Sequence, residues 1–546
     1  MGSRAWPFAV VALAFTGSLL LAGALPLIDL DEGRNAEVAR EMAVSGDVIV
    51  PHLAGMPYLD KPPALFAAAA AAIRVLGTQP LAARLPSIVA GALTLLALAR
   101  LGLHQRGPTF ATRAVALAAA APLFALLSAY VIFDMPLTCC VTAVWTSLAI
   151  ELNEGPRPAR RAVMFLAVAL GILIKGPVML AWAVGGSLAA ALLLRRRDPV
   201  RWLGWGPGWL VVAVLGVGWF ALASVRHPEY WHYAFLEESY QRYTTGRFGR
   251  EQPWWFVPAV LSGGALPWSL STPWSRARRA GDATSGVALG FIAFAAVFFT
   301  LSHSKLTTYL LPAMPPLAWL AASAWDDARP ARAAGVILAV FYLALAVDCA
   351  FIHSVARLPG VLAPPAVPGA RPSMALAFGA PAVFAGLRAM AIAFAAFAAL
   401  ALAAAITGRR APAFVASLAF LPIVATCGHP VMRAFAESQS GAPLARAITT
   451  TGGGAVRYER CYSPGTDFVL GRSSAILSDD GHETDSNYQY RYRATLTARG
   501  QWTPRPAPAG EAAVVVRPAS ATEAPSGGWS ECFRDHRFVA FRRVRP

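Results

Sequence analysis

Trp6-Pro7-Phe8-Ala9-Val10-Val11-Ala12-Leu13-Ala14-Phe15-Thr16-Gly17-Ser18-Leu19-Leu20-Leu21-Ala22-Gly23-Ala24-Leu25-Pro26-Leu27-Ile28 runs for 23 residues without a charge. Wound as an α-helix, such a run is long enough to cross a hydrocarbon core about 30 Å thick. Arg4 before it and the small residues Ala22-Gly23-Ala24 resemble a signal peptide, but a secretory apolar region has only about 7–15 residues. The run therefore predicts an uncleaved first span. Comparable runs recur as far as residue 427, in a chain that is 56% apolar and only 14% charged. Soluble domains carry about 25% charge, so a soluble multidomain enzyme is excluded. The expected fold is a polytopic α-helical membrane protein. Beyond residue 430 the apolar runs shrink to five or six residues, which predicts a transmembrane domain over 1–429 and a soluble α/β domain over 430–546.

The net charge of +17 comes from arginines in short loops between the apolar runs. Such clusters mark the cytoplasmic side of a membrane, and nucleic acid is not the expected partner. Six clusters, at 100–113, 157–161, 195–201, 276–279, 329–332 and 409–410, are satisfied together by spans near 6–28, 84–103, 112–131, 135–152, 161–174, 177–194, 206–225, 255–274, 284–301, 306–323, 332–352, 384–407 and 411–427. That makes about thirteen transmembrane helices, with the first loop (29–83) and the C-terminal domain on the outer face. The short apolar stretch 64–73 is expected to be interfacial or re-entrant. Cys139, Cys140, Cys349 and Cys427 lie within or at the ends of spans. Cys461 and Cys532 fall in the soluble domain and, in an oxidising compartment, form the disulfide candidate.

Only three of the 47 basic residues are lysines: Lys61, Lys175 and Lys305. All three fall in short segments that the topology places on the outer face. A lysine there can snorkel to the interface, but three on one side, beside acidic motifs, point to recognition of a lipid phosphate by compact point charges. The first loop is also rich in acids. Asp31 opens a helical pattern with Ala36, Ala39 and Met42 on one face, and Asp134 precedes Met135-Pro136 at another outer span end. Each could cap a helix; each could equally be a carboxylate held for use, since charge at a span end is costly. His227-Pro228-Glu229-Tyr230-Trp231-His232-Tyr233 and Gln241-Arg242-Tyr243 add aromatics and a cation on the same side, without a recognised zinc spacing. No phosphate-cradling loop for a soluble nucleotide is present.

The motifs Asp31-Glu32-Gly33-Arg34-Asn35-Ala36-Glu37, Gly46-Asp47, Pro51-His52-Leu53 and Tyr58-Leu59-Asp60-Lys61-Pro62-Pro63 resemble the first-loop signature of the bacterial lipid A aminoarabinose transferase and protein O-mannosyltransferase superfamily. The likeness continues in order through Phe133-Asp134-Met135-Pro136, Lys175-Gly176, Pro228-Glu229-Tyr230-Trp231-His232-Tyr233, Gln241-Arg242-Tyr243 and Ser304-Lys305-Leu306-Thr307-Thr308-Tyr309. It implies a GT-C fold and transfer of a sugar from a polyprenyl (undecaprenyl) phosphate donor, without a nucleotide, in the bacterial inner membrane. The acceptor would be lipid A or another glycan, or a protein in the mannosyltransferase manner. By the resemblance, Asp31 and Asp134 are catalytic carboxylates, while Lys61, Arg242, Lys305 and Tyr309 surround the lipid phosphate. Asp60 stands where a glutamate helps bind zinc in the aminoarabinose enzyme, which makes it the metal candidate. Ser239 stands where that site's histidine is expected.

Two other function classes compete for the same residues. A lipid or sugar transporter would carry charges near the bilayer midplane and often an inverted repeat; here the charges gather at outer span ends and no repeat is visible. A non-catalytic scaffold would not need lysines and acids concentrated in one outer region.

Overall fold

The computed structural model describes residues 3–274, 282–326, 331–355, 381–477, 481–502, 512–521 and 523–543. The arginine cluster at 276–279, Arg329 and the Pro/Gly-rich stretch 358–372 lie outside the described residues, as does part of the stretch 503–528.

Each expected span contains a helix, and seven are single helices long and apolar enough to cross a membrane: α1 (Trp6–Ala24), α4 (Pro80–Gln105), α7 (Asp134–Glu154), α10 (Gly206–Arg226), α12 (Ala283–Leu301), α14 (Arg332–Val355) and α15 (Pro381–Thr407). Between the first two lie α2 (Asp31–Ser45) and α3 (Ala64–Leu76), the latter only 13 residues long. The span expected at 112–131 is a pair, α5 (Pro108–Ala119) and α6 (Pro122–Ser128), bent by 71°. Pro122 removes a backbone donor at that junction, which is where a helix breaks. The other five expected spans are shorter or interrupted. They comprise α8 (Pro158–Lys175), α9 (Val178–Leu194, with a π-turn over Ala181–Gly185), α11 (Phe256–Gly263, followed by Trp268–Ser271), a 3₁₀ turn Thr307–Ala313 leading into α13 (Met314–Asp326), and the pair α16 (Arg410–Leu418) and α17 (Phe420–Thr426). Composition places apolar runs correctly but does not reveal where proline or a π-turn interrupts them.

The chain divides into two compact units, one of Met1–Leu21, Leu85–Ala346 and Ile392–Ala425, the other of Ala22–Arg84, Val347–Ala391 and Thr426–Pro546. The first is the helical unit. Its core holds the fully buried Trp145, Trp182, Trp202 and Trp319, with Phe110 and Trp145 meeting Trp319 edge-on at 4.6 and 6.3 Å. Small residues let its helices approach: a methyl group on Gly290 of α12 would fall 2.5 Å from the Ala190 backbone of α9. This is how membrane helices pack when lipid supplies no hydrophobic drive between them.

The second unit joins the first loop to the C-terminal segment. It contains a hairpin of β1 (His52–Leu53) and β2 (Met56–Pro57) and a five-stranded mixed sheet in the order β4-β3-β5-β7-β6. Those strands are β3 (Val456–Glu459), β4 (Ala475–Leu477), β5 (Val514–Pro518), β6 (Trp529–Arg534) and β7 (Phe538–Arg543). Strand β3 pairs parallel with β4 and β5, while β5–β7 and β7–β6 are antiparallel. Two helices precede the sheet, α18 (His429–Ser438) and α19 (Ala442–Thr450), and α20 (Pro464–Leu470) makes the crossover from β3 to β4. The α/β character expected of 430–546 is present, and the compact unit also takes in residues 22–84. The reason lies in α2: beside Ala36, Ala39 and Met42 it buries Glu32, Glu37, Arg40 and Glu41, charges that need polar partners from elsewhere in the chain.

The expected Cys461–Cys532 disulfide is not formed. Both are free thiols, Cys461 donating to the Val516 carbonyl in β5 and Cys532 to the Ala540 carbonyl in β7. Cys461 follows β3 and Cys532 lies in β6, so β5 and β7 stand between them. Three strand spacings of about 4.8 Å far exceed the Cα separation of about 4.4–6.8 Å that a disulfide needs.

Candidate active site

In the helical unit, Asp134 is the first residue of α7 and is buried. It does not cap the helix: Phe133 is the N-cap and no side-chain cap bond is made there. The Asp134 carboxylate instead pairs with the Lys175 ammonium at the end of α8. The ammonium also lies 4.5 Å from the centre of the Tyr309 ring, within cation–π range. Tyr309 belongs to the 3₁₀ turn and packs on Phe299 at 5.8 Å. A carboxylate, an ammonium and a phenol ring from three helical segments are thus brought together. The sequence groups Lys175 with Lys61 and Lys305 as a lysine for a lipid phosphate; the structure instead pairs it with Asp134.

Arg242 follows a π-helical segment, Tyr233–Gln241. Its guanidinium pairs with Glu238 at 2.9 Å and stacks over the Phe248 ring at 4.6 Å. Lys305 is buried, and its backbone N–H donates to the Arg250 carbonyl at 3.0 Å; two residues earlier the His303 N–H donates to the Tyr243 carbonyl at the same distance. The Lys305 segment therefore runs alongside the one that carries Arg242.

In the second unit, Asp31 is the first residue of α2, with Leu30 as N-cap and no side-chain cap bond. Its carboxylate pairs with Arg34 at 2.5 Å and is 71% exposed, so its position depends on that pairing rather than on burial. Arg34 is in turn held by the Asp485 carboxylate at 2.6 Å and carbonyl at 3.0 Å. Burial by itself would lower the Arg34 pKa; Tyr58, Asp31, Asp485 and Asp60 outweigh it, and the guanidinium remains charged. Just before this turn, Asp29 is buried and accepts from Ser463 Oγ (2.7 Å), Gly465 N–H (3.0 Å) and Arg537 (3.4 Å). Burial pushes the Asp29 pKa up, and Arg537 with those hydrogen bonds opposes the rise. Gly33 is required at the crossing, because a methyl group there would sit 2.9 Å from the Gly465 nitrogen.

One turn further along α2, Arg40 forks onto Glu37 at 2.6 and 2.7 Å and also donates to Ser473. Burial holds the Glu37 pKa well above the ordinary carboxylate range. Nearby, Asp467 accepts from Ser474 N–H and Oγ at 2.8 and 2.5 Å, yet burial pushes its pKa up to about 7.

Lys61 donates to the Asp60 carbonyl at 3.0 Å. The Asp60 carboxylate accepts from the Ser486 hydroxyl and from the Tyr488 N–H, the latter at 2.9 Å. These residues do not fit the zinc implied at Asp60. Both carboxylate oxygens are taken up by hydrogen bonds, Ser239 donates its hydroxyl to the Ala234 carbonyl at 2.7 Å, and no cluster of three His, Cys, Asp or Glu able to hold a metal occurs among the described residues. Arg34, Asp485 and Ser486 are the residues to which the sequence assigns no role. Only Arg34 falls within its motifs.

Helices long and apolar enough to cross a membrane, in a chain that also carries a small mixed sheet, describe a multi-pass membrane protein. Residues 60–220 match the dolichyl-phosphate-mannose-protein mannosyltransferase family. Relatives named undecaprenyl phosphate-alpha-4-amino-4-deoxy-L-arabinose arabinosyl transferase include one from Pseudomonas paraeruginosa, 32% identical over 299 residues (53% of this chain, 54% of that one). Another, from Aeromonas salmonicida, is 32% identical over 317 residues (55% and 56%). The chain spans about half the length of these relatives in the match. Among solved structures, ArnT from Cupriavidus metallidurans bound to undecaprenyl phosphate superposes with a TM-score of 0.79 at 24% identity, over 100% of this chain and 99% of that one. Its apo form gives 0.72 at 23% identity, over 99% and 98%. The superfamily that the sequence motifs resemble is the one these matches return, and the GT-C fold expected from them is the fold observed.

Proposed function

We propose that this chain is a glycosyltransferase of the bacterial inner membrane that moves a sugar from a polyprenyl (undecaprenyl) phosphate to lipid A or a related acceptor on the outer face. The observation that carries this reading is the end-to-end likeness of its fold to a protein crystallised with undecaprenyl phosphate, joined to the arabinosyl transferase names of its relatives. In the reaction, an acceptor oxygen forms a bond to the anomeric carbon while the bond from that carbon to the phosphate oxygen breaks. The electron pair leaves with the polyprenyl phosphate, whose developing charge needs fixed cations. Lys61, Arg242 and Lys305, with the Tyr309 hydroxyl, are proposed for that role. Lys175 holds the Asp134 carboxylate in place beside it through their pairing. Asp31 takes the proton from a hydroxyl acceptor; with an acceptor phosphate, already ionised, it orients the attacking group instead.

The test is transfer of labelled sugar from a panel of undecaprenyl phosphate sugars to membrane extracts, comparing wild type with Asp31→Asn and Lys61→Ala. Labelled lipid A with wild type alone supports the reading. Label in protein instead favours the second reading, a protein O-mannosyltransferase-like activity, which rests on the family match over 60–220. No transfer from any donor overturns both.

A further inference from the structure

The C-terminal segment contributes one short stretch, residues 485–489, in which Asp485, Ser486, the Tyr488 N–H and the Gln489 amide nitrogen bond the first loop. Asp485 holds Arg34 through its carboxylate at 2.6 Å and its carbonyl at 3.0 Å, and Arg34 holds Asp31 at 2.5 Å. Ser486 and the Tyr488 N–H both donate to the Asp60 carboxylate, and Asp60 precedes Lys61 and accepts from it. The Gln489 side-chain amide reaches the carbonyls of Leu53, Met56 and Pro57 at 3.3, 3.4 and 3.3 Å. The stretch is itself well fixed. Asp485 adopts the left-handed conformation (φ 50°), which aspartate tolerates better than most residues. Ser486 caps the following helix, Asn487–Arg491, by accepting from the Gln489 N–H at 3.2 Å.

We infer that residues 485–489 form a clasp that positions the first loop for transfer: Asp485 sets Asp31 through Arg34, and Ser486 and Tyr488 set Lys61 through Asp60. This rests on the glycosyltransferase reading above. Asp31 is the more sensitive end. Its carboxylate is mostly in solvent and its ion-pair partner is Arg34, a single cation shared with Asp485. A side chain held in this way keeps its orientation only while the shared guanidinium keeps its own. Displacing a reacting group by about 1 Å can cost a hundredfold in rate. Asp485 and Ser486 are thus positioning residues that need not touch substrate.

Asp485→Asn tests the first arm, because asparagine keeps the size, tolerates the left-handed conformation and leaves the backbone carbonyl in place. With labelled undecaprenyl phosphate sugar under single-turnover conditions, the rate falls about tenfold or more, the donor KM is unchanged, and the same substitution costs nothing further in an Asp31→Asn background. Ser486→Ala lowers the rate through the Lys61 end, and Ser486→Thr, which restores a hydroxyl, recovers it. Glu531→Gln on β6 serves as the control elsewhere in the same unit. Wild-type transfer with an unchanged rate in Asp485→Asn overturns the inference and leaves the glycosyltransferase reading standing, as does an equal loss in the Asp31→Asn background. A readout independent of activity is amide hydrogen exchange, which becomes faster in Asp485→Asn over residues 31–36 while the sheet stays protected. Unchanged exchange there overturns the clasp even if no donor is turned over at all.

Discussion

Arg84 grips Glu32 through two hydrogen bonds of 2.7 Å, Nε to Oε1 and Nη2 to Oε2. Its remaining three hydrogens go to the carbonyls of Ala22 (2.7 Å), Leu25 (2.6 Å) and Pro26 (2.9 Å). All five donors of one guanidinium are therefore used. They tie the last carbonyls of the first span to the residue after Asp31, and Glu32 also accepts from the Ile28 N–H at 2.9 Å. A lysine has three donors on a flexible stem and cannot reproduce a planar fork.

Arg84→Lys and Arg84→Ala should both destabilise the unit that contains the first loop, the second by about 3–5 kcal/mol because Glu32 is left as a buried, unpaired charge. Thermal unfolding of purified protein in detergent measures this. Glu32→Gln in the Arg84→Ala background should recover part of the loss.

Asp31→Asn should leave stability within about 0.5 kcal/mol of wild type, as expected of an exposed side chain, and reduce sugar transfer by about 10²–10⁴-fold if it serves as general base. The pair of measurements separates chemistry from folding. A smaller loss of activity would indicate an acceptor that is already ionised.

Asp134 and Lys175 form a buried pair, so removing either partner strands the other. Asp134→Ala and Lys175→Met should each cost about 3–5 kcal/mol, whereas the double substitution should cost less than the sum of the two. Thermal unfolding checks the coupling. Transfer activity should be lost in all three variants, because the double change restores packing but not charge.

Asp467 predicts a pH dependence of stability. Its folded-state pKa of about 7 lies above the ordinary value of 3.8, so its contribution is fully present below about pH 4 and is lost as pH rises through about 7. The unfolded chain ionises this group freely over that window while the folded chain resists. The loss amounts to at most about 4 kcal/mol. Asp29 and Glu37, also raised by burial, act in the same direction. Unfolding temperatures measured between pH 4 and pH 8 should fall more steeply for wild type than for Asp467→Asn.

The candidate site was legible in the sequence to the extent that its residues stand in ordered local motifs. Asp31, Lys61, Asp134, Arg242, Lys305 and Tyr309 could all be picked out one by one. Their partners could not, because the sequence distance between partners is large: 41 residues from Asp134 to Lys175 and 451 from Arg34 to Asp485. Asp60 shows the cost of reading a motif without its neighbours, since the carboxylate that looked like a metal ligand is taken by Ser486 and Tyr488.

What the sequence determined by itself is the membrane architecture. A bilayer offers no hydrogen bonds, so each spanning segment must satisfy its backbone locally as a helix, and length with hydropathy suffices to find it. Only the tertiary structure decided where those helices break, that Cys461 and Cys532 stand on opposite sides of β5 and β7, and that the charged face of α2 is buried against the C-terminal segment. Each of these depends on which distant groups satisfy a buried donor, acceptor or charge, and that pairing is a property of the folded chain rather than of any local run of residues.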